Sequence, residues 1–227
     1  LSEIVRMLEA RYVFSERVYY HHAKVSAGAL VARAIDLLVR AGALGEGDLY
    51  DTTDDSVLEV LLRAGRKVGG DLEETVRDLV GRFRGRKLLK RACVFPAYEN
   101  ERVQAELVDR FFAAGGGDAR ALVEGRIEET VHFALGKKVR VIVYCPAKEM
   151  QLKEARIHVR WPGVDGVRPL SDFSDKVPRL GDLERSYRDL WKFYVLCDSG
   201  DPDVLAKVQE IAAAEFPGAL NVYSLGS

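Results

Sequence analysis

The chain has 227 residues, 48% apolar and 30% charged, the make-up of a folded domain with ample material for a core. Its 34 Lys and Arg balance 35 Asp and Glu to a net charge of -1, which excludes a chain devoted to non-specific nucleic-acid binding but leaves room for a local basic patch. No run of 18 apolar residues occurs, so no membrane-spanning helix is expected.

The N-terminus, Leu1-Ser2-Glu3-Ile4-Val5-Arg6, has no secretion-signal layout and opens without Met into helical periodicity, as expected of a segment cut from something longer. Residues 1–9 read as a short amphipathic helix and 15–41 as a long one ending at Gly42, with Val25, Ala29, Ala32, Ile35 and Leu38 among its apolar positions. Thr52-Thr53-Asp54-Asp55 supplies N-cap candidates for a helix over 54–65, and another helix is expected over 72–83. A basic stretch, Arg82 to Arg91, follows. Past Pro96 the character changes: helices at 99–115 and 118–134 are separated by Gly115-Gly116-Gly117. Alternation then predicts strands at Val139–Tyr144 and Ile157–Trp161. A helix over 181–191 leads into a strand at Phe193–Cys197, and a helix over 201–214 precedes a short strand at Leu220–Tyr223. The fold class is therefore a mainly α N-terminal half, 1–95, followed by an α+β C-terminal lobe, 96–227.

Cys93, Cys145 and Cys197 are widely spaced with apolar neighbours, the pattern of reduced thiols in a cytoplasmic protein. There is no CxxC and no Cys/His cluster, which argues against structural zinc.

One segment stands out for its chemistry. In a helix, Arg11, Ser15, Tyr19, His22 and Ser26, spaced by 4, 4, 3 and 4 residues, share one stripe. A solvated stripe is usually Lys, Glu and Gln. This one offers a guanidinium fork, a phenol, an imidazole and two hydroxyls, groups suited to phosphate and ribose. Spacing alone leaves open a polar seam between helices or plain surface.

Arg11, seven further residues, then Tyr19-x-His21 resembles the helix that follows the last metal ligand in HD-domain dNTP triphosphohydrolases, above all the sterile-alpha-motif subgroup and its bacterial relatives. Thr52-Thr53-Asp54-Asp55-Ser56-Val57-Leu58 is similar to that family's Thr-Asp-Asp/Asn-x-x-Leu helix start. Arg86-Lys87-Leu88-Leu89-Lys90-Arg91 is similar to its Arg-x-Leu-x-Lys-Arg segment, and Leu183 to Cys197 resembles a helix-then-strand of its C-terminal lobe. The resemblance implies a phosphohydrolase acting on nucleotide phosphates, in a homo-oligomer. A divalent metal in the full-length parent would be held by a His, a His-Asp dipeptide and a later Asp. No His-Asp dipeptide exists among His21, His22, His132 and His158, so the ligands are expected upstream of Leu1 and neither a metal site nor a catalytic residue in this chain. By resemblance Arg11 binds the triphosphate, and Tyr19 and His21 contact the substrate. Two positions depart from the pattern: Ser15 stands where those enzymes often carry His, and His22 where they carry Lys.

Other candidates have plainer readings. His21 and His22 as a metal pair would point about 100° apart on a helix. Thr53-Asp54-Asp55 could hold Mg²⁺ but fits an N-cap with an acidic first turn. The Arg82–Arg91 stretch fits a solvated or interface face, with nucleotide phosphate or nucleic acid as the alternative. His132, His158, Asp165 and Asp172 have no visible partner. A non-catalytic nucleotide- or partner-binding module is the competing function.

Overall fold

The computed structural model describes residues 2–113, 115–146, 157–173 and 175–225. Helix α1, Ser2–Phe14, runs directly into a π-helical turn, Ser15–Tyr19, and α2 spans His22–Arg40. The single long helix expected over 15–41 is thus corrected to two segments. Tyr20 donates its N–H to the Ser15 carbonyl at 3.0 Å, and His21 then turns extended, with φ -60 and ψ 139. The His21 ring accepts the Ala23 N–H at 3.3 Å. An extended residue whose side chain takes an orphan N–H is an N-cap, and it restarts the helix.

Helix α3 spans Val57–Val68 and α4 spans Gly70–Arg84. Ahead of α3, Thr53 and Ser56 cap one another: Thr53 N–H donates to Ser56 Oγ at 2.8 Å, and Ser56 N–H to Thr53 Oγ1 at 3.3 Å. That turn moves the helix start past Asp54 and Asp55, which stay exposed.

Strand β1, Lys90–Pro96, carries no alternation because residues 92–97 are all buried. A strand covered on both faces loses its period-two signature, which is why the basic stretch hid it. Helices α5, Ala97–Phe112, and α6, Gly116–Leu135, then form a tight hairpin. A Cβ at Gly116 would lie 2.6 Å from the Phe111 carbonyl carbon, and Gly115 has φ +87. Only glycine fits that elbow. Strand β2 is Val141–Tyr144, and β3, His158–Val159, pairs with β4, Arg168–Pro169. The strand expected over 157–161 is therefore only two residues long. Helix α7, Pro178–Asp189, strand β5, Lys192–Cys197, and helix α8, Pro202–Glu215, complete the order.

Strands β1, β5 and β2 form an antiparallel sheet with β5 in the centre, pairing Val94 and Tyr144 to Tyr194 on either side. Alternate side chains face opposite layers. Val94, Ile142, Tyr194 and Leu196 pack under α2, α3 and α4. Phe95, Val141, Val143, Phe193 and Val195 pack against Phe111, Ile127, Val208 and Phe216 of the α5, α6 and α8 side. A third cluster seats Leu8 of α1 against Leu180, Leu183 and Tyr187 of α7. The expected class holds: helices first, then an α+β lobe. The limit placed at residue 95 falls in β1, which ladders with β5 from the second half.

Both sheet edges are covered, as unpaired strand edges require. On β2, the Val141 N–H donates to Glu128 at 2.7 Å and the Val143 N–H to Glu124 at 2.8 Å. On β1, Asn221 Oδ1 accepts the Val94 N–H at 2.8 Å, and the Val222 N–H donates to the Val94 carbonyl at 3.0 Å. The strand expected at 220–223 is instead a strap along that edge. Asn100, buried in α5, holds it by donating to the Leu220 carbonyl and accepting the Leu220 N–H.

Candidate functional site at the α1–α2 elbow

Arg11 lies in the last turn of α1 and is exposed. In an unbroken α-helix Tyr19 would stand about 80° round from it. The π-helical turn takes in about one residue more than an α-turn and brings Tyr19 back toward the Arg11 line. The Tyr19 ring meets Phe14, five residues earlier, edge-on at 5.2 Å between centroids, a contact that suits the wider turn. Lys24 Nζ lies 5.5 Å from the Tyr19 ring centre, so a second cation stands beside the phenol.

His21 sits at the corner, exposed. Because its Nδ1 accepts the Ala23 N–H, the neutral ring carries its proton on Nε2, a donor turned away from the cap. Arg11, Tyr19 and His21 thus all lie on the exposed side of one helical elbow. The remaining members of the sequence stripe leave it: Ser26 is fully buried with no hydrogen-bond partner for its Oγ, and His22 is half-buried with its Nδ1 unpartnered. Burial, then the nearby Arg91 and Lys90, hold the His22 pKa below the usual imidazole value. Lys192, also half-buried near Arg91 and Glu16, is lowered chiefly by burial.

The same outer face is apolar around its cation. Met7, Phe14 and Val18 are 47%, 51% and 44% exposed; the seven-residue spacing of the first two sets them with Arg11 along one helical stripe, and Val18 lies beside it in the π-turn. Exposed apolar groups clustered this way on a helix already anchored to α7 by its other face mark an interaction surface.

Two of the six cations in the basic stretch are ion-paired within the chain: Arg82 bonds Asp198 at 2.8 Å and Asp78 at 3.0 Å, and Arg84 pairs with Glu59. Arg91 stacks over the Tyr223 ring at 4.7 Å, while Arg86, Lys87 and Lys90 are exposed.

A second polar centre had no sequence signal, because its members are distant along the chain. Arg33 pairs with the buried Glu124 of α6, and Arg120 bonds Asp36 at 3.0 Å. They line a cavity of about 160 Å³ with Phe112, Val143 and Tyr144. Burial pushes Glu124 up to about 7, against the opposing pull of Arg33 and the Val143 N–H. Since Glu124 closes the β2 edge, this centre supports the sheet. Cys93 and Cys197 are buried thiols outside any disulfide, and burial raises both.

Among the described residues no three His, Cys, Asp or Glu side chains come together as a metal site. The residues present do not fit the metal ion that the resemblance implies, and no chemical step is assigned through one. No helix among the described residues is long and apolar enough to cross a membrane.

Fold and elbow together define a helical module with a small covered sheet and one cationic, apolar-flanked helix on its surface. A family profile described as “HD associated region” matches residues 5–216, and the chain belongs to that family, in association with HD-domain proteins. None of the curated proteins compared with it matches the chain.

Proposed function

We propose that this chain serves an HD-type phosphohydrolase acting on nucleotide phosphates, in the manner of the dNTP triphosphohydrolases, as its substrate-binding and assembly portion. What supports the reading is the π-turn at Ser15–Tyr19, around which Arg11, Tyr19, His21 and Lys24 are all exposed, with Lys24 Nζ 5.5 Å from the Tyr19 ring centre. A metal and its ligands would come from the HD domain.

In this reading the apolar face of Met7, Phe14 and Val18 seats α1 against the HD domain, which removes water from around Arg11. The guanidinium then stabilises polyphosphate charge in a medium where charged hydrogen bonds are strong. The Tyr19 hydroxyl and the His21 Nε2–H donate to sugar and phosphate oxygens. The competing reading, a non-catalytic nucleotide- or partner-binding module, shares this surface and lacks the hydrolysis.

Two measurements test the proposal. The 227-residue chain alone should show no phosphohydrolase activity with Mg²⁺ or Mn²⁺, and robust turnover by it would overturn the division of labour. In the HD-bearing protein, Arg11→Ala should lose about 1.5–3 kcal/mol, the worth of a charged hydrogen bond, or roughly 10- to 150-fold in kcat/KM for a nucleoside triphosphate. Kinetics like the wild type's would remove Arg11 from the site, and an HD-bearing protein with no hydrolysis at all would favour the binding module.

A further inference from the structure

The outer face of α6 is unpartnered among the described residues and carries two large apolar side chains. Phe133 is 94% exposed and Leu122 61% exposed. Between them lie Arg126 and Glu129, both exposed. Positions 122, 126, 129 and 133 fall within about 60° of one another on a helix. A Cβ at Gly125, beside this stripe, would meet nothing within 4 Å.

The order along this stripe is Leu, Arg, Glu, Phe. Reversed, it reads Phe, Glu, Arg, Leu. We infer that α6 is the face through which two copies of this chain associate, antiparallel, about a two-fold axis passing between Ile127 and Glu128. In that register Leu122 meets Phe133 of the partner subunit, and Arg126 meets Glu129 of the partner subunit. Each contact occurs twice, as an isologous interface requires.

Charge order selects the occupant. A parallel copy would set Arg126 against its own counterpart and Glu129 likewise, and like charges face to face are repelled. The antiparallel copy satisfies both. Arg126 also donates to Glu215 of α8 at 2.6 Å. A guanidinium has five donors in a fork, so that bond leaves donors for a second carboxylate. Phe133 would bury a ring that is otherwise almost wholly in water, twice per dimer.

The inference concerns the assembly half of the proposed function. It stands apart from the Arg11 elbow, so the failure of one leaves the other readable. Sedimentation velocity of this chain from low to high micromolar concentration should show a reversible monomer–dimer equilibrium. Phe133→Glu should raise the dissociation constant on the order of 100-fold or more, since two rings leave the interface, with unchanged helicity and melting. Glu129→Arg, which sets like charges across the two-fold axis and leaves the Arg126–Glu215 pair intact, should weaken the dimer as well. A monomer at every concentration would overturn the inference and give the face to another partner. So would a dimer indifferent to Phe133→Glu or to Glu129→Arg.

Discussion

Phe193→Ala is expected to cost about 3–5 kcal/mol of folding stability, the range for emptying a large aromatic from a core. Phe193 is fully buried at the centre of the middle strand, β5. Its ring lies 4.9 Å from that of Phe216, 5.1 Å from Phe95, 5.8 Å from Phe112 and 6.5 Å from Phe111. Those four come from α5, β1 and the end of α8, so one ring joins three elements to the sheet. The cavity left by alanine cannot close by moving one side chain, because its walls belong to separate backbones. With whole-domain stabilities of about 5–15 kcal/mol, the variant should be on the edge of unfolding at room temperature. Urea unfolding of both proteins measures the difference, and a loss under about 1 kcal/mol would mean the five-ring cluster is not the keystone of this layer. Phe112→Ala, on a partly buried ring, should cost less.

Glu124 should make folding depend on pH in an unusual direction for a carboxylate with an arginine beside it. Burial is the dominant influence and raises it from about 4.5 to about 7. A raised acid holds its proton in the folded chain after the unfolded chain has released it. Its contribution is therefore fully present below about pH 4.5 and is lost as pH rises through about 7. The gap corresponds to on the order of 3 kcal/mol. Glu124→Gln keeps an oxygen for the Val143 N–H and does not titrate. The unfolding free energy of the wild type minus that of Glu124→Gln should fall as pH rises from below 4.5 to above 7. Subtraction cancels Glu128, also raised by burial, and His22, which is lowered and acts with the opposite sign. A difference that is flat, or that rises with pH, would show that Arg33 outweighs burial. Glu124→Ala is harsher: it leaves the Val143 N–H without its acceptor and Arg33 with only Asp36, at 3.7 Å, a loss of about 3–5 kcal/mol for a broken buried pair.

Much of this architecture is legible along the chain, and the misses share physical causes. The periodic helices α4, α6 and α8 announce themselves because each buries a definite face, and the strands at 141–144 and 192–197 because they are short apolar runs of β-branched and aromatic residues. β1, equally buried on both sides, opens with Lys90 and Arg91, and that basic start masks it. The break at Tyr20–His21 leaves no composition signal: no Gly or Pro marks it, and it depends on a histidine serving as N-cap, a role more often taken by Ser, Thr, Asp or Asn. Asn221 and Gln209 look like ordinary polar surface until a strand edge arrives to be capped. At the elbow, Arg11 and Tyr19 stand out by type and spacing, and His21 only through the family resemblance. Lys24 and the π-turn that aligns the first two do not stand out, because a π-turn is a choice between hydrogen-bond partners that spacing does not encode. Ser26 and His22 were assigned to the same stripe only because the helix was taken as continuous.

The central claim is that the Arg11 side of the elbow recognises phosphate rather than sugar or base. Calorimetric titration of the HD-bearing protein with a non-hydrolysable nucleoside triphosphate, and separately with the bare nucleoside, reads this directly. Arg11→Ala should weaken the triphosphate roughly 10- to 150-fold and leave the nucleoside's affinity where it was. Equal losses for the two ligands, or no loss for either, would contradict it.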